Sequence, residues 1–80
     1  MPLSTLHRLE IIFREVLDNR SLELTEASSV FNVPNWDSVA TVQIVLATES
    51  EFGIRFTTDE LAGIKSVADI LQGLKSHSVS

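Results

Sequence analysis

Apolar residues recur at three- and four-residue steps in three separate stretches of this chain, and that spacing constrains the fold more than any other feature. Leu6, Leu9, Ile12, Phe13, Val16 and Leu17 line one side of a helix over about residues 4 to 18, with Ser4 as its cap. Val39, Val42, Val45, Leu46 and Phe52 fall near one face of a second helix, over about 37 to 52, begun by Asp37 or Ser38 and stopped by Gly53. Val67, Ile70, Leu71 and Leu74 mark a last helix over about 66 to 75, opened by Ser66 and Asp69 in a near capping box. A shorter helical turn is expected over about 58 to 63, with Thr57 or Thr58 as cap and Asp59 and Glu60 where the helix dipole favours acids. No alternating strand pattern or internal repeat competes with this set. The expectation is an all-α fold: a small four-helix bundle of three main helices and one short helix, forming a single domain over residues 1–80.

The stretch from Asn19 to Trp36 is rich in Ser, Thr, Asn and Pro and carries scattered apolar residues, Leu22, Leu24, Val30, Val33 and Trp36. So long a connection in so small a domain reads as a loop whose apolar side chains tuck against the helices. Pro34 keeps Val33 extended and delays the next helix. Residues 77 to 80 read as a frayed end.

Eighty residues build one thin core, which leaves little room for a large enclosed active site. The chain has no cysteine, so disulfides, thiolate catalysis and thiolate metal sites are all ruled out. His7 and His77 lie near opposite ends, without zinc-ligand spacing, and read as isolated surface residues. No Gly-x-Ser-x-Gly elbow or glycine-rich phosphate loop is present, which argues against an enzyme. No apolar run approaches the roughly 18 residues that span a bilayer, so a soluble, cytoplasmic monomer is expected. Met1 and the short tails favour a free-standing protein.

The net charge of −5 is unevenly spread. Asp37, Glu49, Glu51, Asp59 and Glu60, offset only by Arg55, concentrate it between residues 37 and 62. That field repels nucleic acid and attracts basic protein surfaces. A solvated acidic face is the plain alternative.

Ser38 stands at the start of the second helix, where Asp37 and Ser38 are both good caps in any helical protein. Yet the surrounding pattern, Asp37-Ser38-Val39, then Thr41-Val42 and Ile44-Val45, then Glu49, Glu51 and Phe52, with Ile54, Phe56 and Ile64-Lys65-Ser66-Val67 beyond, resembles the acyl carrier protein family over nearly the whole chain. The resemblance implies a carrier and not a catalyst. In it, Ser38 anchors a covalent 4′-phosphopantetheine arm derived from coenzyme A, Asp37 assists recognition by a phosphopantetheinyl transferase, and the arm's thiol holds acyl groups as thioesters. Val39, Gln43, Leu46, Glu49, Glu51, Arg55 and Phe56 correspond to partner-binding positions for the acyl or aminoacyl ligase or transferase and the downstream enzymes. A phosphate on Ser38 would also face the positive end of a helix.

Several residues depart from the family pattern. Val39 replaces a leucine, Ala40 and Gln43 replace acids, Ser50 interrupts the terminal acids, Thr48 stands at a position that commonly borders the acyl cavity, and Arg55 adds a positive charge. These changes point to a specialised, discrete carrier whose enzymes differ from the basic partners of fatty-acid synthesis. A peptidyl or aminoacyl carrier, and a non-carrier helical adaptor in which Ser38 is only a cap, are the alternative readings.

Overall fold

The computed structural model describes residues 4–77 and contains four helices: α1 (Thr5–Val16), α2 (Ser38–Phe52), α3 (Thr58–Ala62) and α4 (Val67–Ser76). Each begins on a polar cap. Ser4 Oγ accepts from the His7 N–H, Asp37 from Ala40, Thr57 from Glu60 and Ser66 from Asp69. In α4 the shorter Asp69 closes the capping box in place of the usual glutamate, its Oδ2 accepting from Ser66 N at 3.1 Å and from Lys65 N at 2.9 Å. Gly53 ends α2 at φ 67°, a left-handed conformation that glycine adopts without penalty.

α1 stops at Val16, two residues before the apolar spacing suggested, because Asp18 turns the chain at φ 50°. Leu17 is nonetheless buried as the C-cap, its N–H still donating to Phe13 O at 2.9 Å, so the apolar pattern recorded burial one residue past the last helical residue.

The interior is built from Leu9 and Phe13 of α1, Ile44 and Val45 of α2, and Val67, Ile70 and Leu74 of α4. The long connection contributes to it as expected. Leu24, Val33 and Trp36 are buried, and Leu22 and Val30 are partly so. The connection is tied to α1 by Glu10 Oε2, which accepts from Leu24 N at 2.8 Å, and by Arg14 Nε, which donates to Leu22 O at 2.8 Å. It is tied to the start of α4 by Val30 N to Lys65 O and Val67 N to Ser28 O, at 3.0 and 2.9 Å. The isolated Ser29–Ser66 bridge produced there is the nearest approach to a sheet among the described residues. Phe31, in contrast, is 88% exposed.

Two expectations need correction. The buried face of α2 is Ala40, Thr41, Ile44, Val45 and Thr48, whereas Val39, Val42 and Leu46 are 65%, 45% and 60% exposed. Apolar residues surround most of this helix, so periodicity alone had no unique face to choose, and packing on α1 and into the shared core selected one. The histidines are also not isolated. His77 caps α4, with Nε2 3.1 Å from Glu60 Oε1 and its ring edge-on to Phe56 at 5.8 Å, and His7 Nδ1 lies 3.7 Å from Glu10. Residues 78–80 of the expected frayed end fall outside the described residues.

Candidate functional site

The start of α2 is braced from below. Trp36 is buried edge-on against Phe13, with centroids 4.9 Å apart, and its Nε1–H donates to Thr41 Oγ1 at 2.8 Å. Thr41 in turn donates to Asp37 O at 2.9 Å, so the residues on either side of Ser38 are locked to each other and to α1. The apolar pattern places Trp36 among the tucked residues but gives no sign of its bond to Thr41. A hydroxyl five residues after an indole is the signal that could have found the pair.

This bracing decides which of two candidate caps does the capping. Asp37 Oδ1 accepts from Ala40 N at 2.8 Å, while Asp37 O accepts from Thr41 N at 2.9 Å. Ser38 is therefore the first helical residue and not the cap. It is exposed, its hydroxyl has no hydrogen-bond partner among the described residues, and the backbone N–H groups of Ser38 and Val39 are likewise left unpaired in the first turn. A free hydroxyl beside two free N–H groups at the positive end of a 15-residue helix suits a phosphate ester on that oxygen.

Beside Ser38 lies a small cavity of about 220 Å³ lined by Ser38, Thr41 and Val42 of α2 and by Leu61, Ala62 and Ile64 of the α3 region. It is smaller than the 300–1,000 Å³ typical of pockets that enclose a drug-sized ligand. Thr48 does not line it. Thr48 is fully buried nearly two turns further along, its hydroxyl donating to Ile44 O at 2.7 Å.

The expected partner-binding residues divide into two groups. Val39, Gln43 and Leu46 are exposed on α2, and Val42 joins them. Glu49 and Glu51 are engaged within the molecule: Glu49 Oε2 accepts from Phe56 N at 2.7 Å, and Glu51 Oε2 pairs with Arg8 Nε at 2.9 Å while Arg8 also lies 4.2 Å over the Phe52 ring. Arg55 is exposed, and Phe56 is half-buried against Gly73, where an added Cβ would collide with the ring. Ala40 is buried, so the absence of an acid there follows from packing and says nothing about partners.

No family profile matches the chain. A curated acyl carrier protein of Coprothermobacter proteolyticus is 30% identical over 69 residues, covering 86% of this chain and 84% of that protein. The chain belongs to the acyl carrier protein family. An acyl carrier protein of Lactobacillus acidophilus is 37% identical over 54 residues, 68% of each chain. The holo acyl carrier protein of Geobacter metallireducens, solved in solution, matches with a TM-score of 0.80 and 31% identity, covering 92% of this chain and 85% of that one. A Mycobacterium tuberculosis protein matches with a TM-score of 0.82 at 18% identity, a likeness of fold alone. Family membership makes this acyl carrier a protein that conveys groups and does not transform them. Among the described residues it has no helix long and apolar enough to cross a membrane.

Proposed function

We propose that Ser38 is the attachment residue of a 4′-phosphopantetheine arm, installed by a phosphopantetheinyl transferase that uses coenzyme A and Mg²⁺. The observation that carries this reading is the division of labour between Asp37, which caps α2, and Ser38, whose hydroxyl is left exposed and unpartnered. The holo state of the Geobacter relative supports it. Bound there, the group supplies the thiol that this cysteine-free chain lacks, and with it a thioester link to acyl cargo. The chain's own part is positional. Trp36 and Thr41 hold the residues around Ser38 in place, the unpaired N–H groups of Ser38 and Val39 favour the phosphate, and the second carboxylate oxygen of Asp37 is available to the transferase or its metal ion. A flexible tether then presents cargo to successive enzymes at high effective concentration.

Specialised biosynthesis suits the partner face. From Ser38 to Thr48, α2 carries no charged residue, and it exposes Val39, Val42, Gln43 and Leu46, while the two acids at its far end are held by Phe56 N and Arg8. Such a surface suits a ligase or transferase that meets the carrier through apolar contacts more than through basic side chains. An aminoacyl or peptidyl carrier would use the same serine with different cargo.

The test is the intact mass of the chain before and after incubation with coenzyme A, Mg²⁺ and a promiscuous transferase. A gain of one phosphopantetheine unit is expected for the parent and none for Ser38→Ala. Because Ser38 is not the cap, that variant should fold with stability within about 0.5 kcal/mol of the parent. No gain in a parent chain confirmed to start unmodified would favour a helical adaptor that kept the carrier fold.

A further inference from the structure

Three of the chain's four phenylalanines are packed. Phe13 is fully buried against Trp36, Phe52 lies under the Arg8 guanidinium, and Phe56 sits over Gly73. Phe31 is 88% exposed, more than any other large apolar residue among those described. An aromatic ring left in water forgoes the burial that the other three gain.

The loop that carries this ring is well tied. Ser29 N donates to Asn32 Oδ1 at 2.9 Å, Phe31 N to Ser29 Oγ at 3.2 Å, and Asn32 Nδ2 to Ala27 O at 3.2 Å. Val33 N donates to Ser29 O at 2.9 Å and Val30 N to Lys65 O at 3.0 Å, while the Val33 side chain is buried. Backbone and polar side-chain bonds therefore hold Phe31 outward with no help from the ring itself. An anchor fixed in this way loses little conformational freedom when a partner covers it.

Two short paths lead from Phe31 to Ser38. Along the chain it stands seven positions earlier, at most about 25 Å away if the segment were fully extended. The turn closed by Trp36 N to Val33 O, with Asn35 at φ 67°, folds that span shorter. Across the fold, Val30 is bonded to Lys65, whose neighbour Ile64 lines the cavity beside Ser38. Both paths place Phe31 at the Ser38 end of the molecule.

That end is almost free of charge. Of the chain's 6 basic and 11 acidic residues, only Asp37 falls between residues 27 and 48. The same stretch holds Phe31, Ser38 and the exposed Val39, Val42 and Leu46. A partner that covers it meets apolar groups and one carboxylate, so its complement is an apolar surface and not a basic one.

We infer that Phe31 is a docking anchor for the phosphopantetheinyl transferase, seated in an apolar pocket of that enzyme. The inference rests on the attachment reading of Ser38. Among the enzymes such a carrier meets, the transferase alone reacts with the Ser38 oxygen itself, whereas the others work on a thiol at the far end of a flexible arm and can stand further off. Its footprint therefore centres on Ser38. A standard interface covers about 800 Å² of each partner, a patch roughly 30 Å across, wide enough to take in the loop that ends at Trp36.

Steady-state kinetics of modification test the anchor, using the full unmodified chain, coenzyme A, Mg²⁺ and a promiscuous transferase, with product counted by intact mass. Phe31→Ser should raise the KM for the carrier about five- to thirtyfold, the range for truncating an aromatic anchor, and leave kcat within about twofold. Phe31→Leu keeps an apolar side chain and should recover part of that loss. Neither variant should lower the melting midpoint, because the ring buries almost nothing in the free chain. Ile11→Ser is the control for loss of an exposed apolar residue elsewhere. Ile11 is 38% exposed and lines clefts with Asp18 and Arg20 and with Ser50 and Glu51, none of them in the loop, so its KM should match the parent's. A KM for Phe31→Ser within about twofold of the parent's, or an equal rise in Ile11→Ser, would overturn the anchor. If the parent is modified on Ser38 and Phe31→Ser keeps the parental KM, the anchor alone fails. If the parent takes no phosphopantetheine, the attachment reading fails and the anchor with it.

Discussion

α2 and α3 face the same small cavity and are held in opposite ways. α2 runs for 15 residues, buries Ala40, Thr41, Ile44, Val45 and Thr48, and is anchored at its start by the Trp36–Thr41–Asp37 chain of hydrogen bonds. α3 runs for five residues, buries none fully, and is held by a capping box, a contact to His77 and the partly buried Leu61. Burial of apolar surface is insensitive to small changes of pH and ionic strength, whereas exposed polar contacts are sensitive to both. The wall that carries Ser38 therefore rests mainly on burial, and the wall opposite rests more on polar contacts.

Removing the pillar of the rigid wall should have the largest effect. Ile44→Ala, at a fully buried position, should cost about 2–5 kcal/mol and lower the melting midpoint by roughly 10 °C or more. A loss below about 1 kcal/mol would mean that α2 is not fixed by burial, and the contrast would collapse. Thr57→Ala removes the cap of α3 and should cost about 1 kcal/mol, felt at the Leu61 and Gly63 amides while the global melt barely moves. A midpoint shift as large as that of Ile44→Ala would place α3 in the cooperative core.

The smallest effect on stability should come from the exposed face of α2. Leu46→Ser should stay within about 0.5 kcal/mol by thermal melt and yet weaken binding to the cognate loading enzyme, with little change in its salt dependence. A steep salt dependence in the parent complex would return the docking role to Glu49 and Glu51.

Much of the fold was legible because helices announce themselves locally. Ser4, Thr57, Ser66 and Gly53 act where caps and stops were expected, and the apolar stripes of α1 and α4 point inward as their spacing required. α2 was legible in extent and not in orientation, since apolar residues at 39, 40, 42, 44, 45, 46 and 47 give its spacing no single direction. His77 was misread because its partner, Glu60, lies 17 residues away and on another helix. A longer separation in sequence, 43 residues, hid the pairing of Arg8 with Glu51, one of the acids expected to meet partners.

By itself, then, the sequence determined the helical elements, where each begins, and a family pattern centred on Asp37-Ser38-Val39. These are properties of neighbours a few residues apart, where capping hydrogen bonds and helical periodicity operate. Tertiary structure alone decided which of Asp37 and Ser38 caps and which stays free, which apolar face of α2 is left for partners, which acids are already engaged, and that a terminal histidine reaches back to the wall of the cavity. Each of those outcomes depends on contacts between elements, which local patterns of spacing and charge cannot resolve.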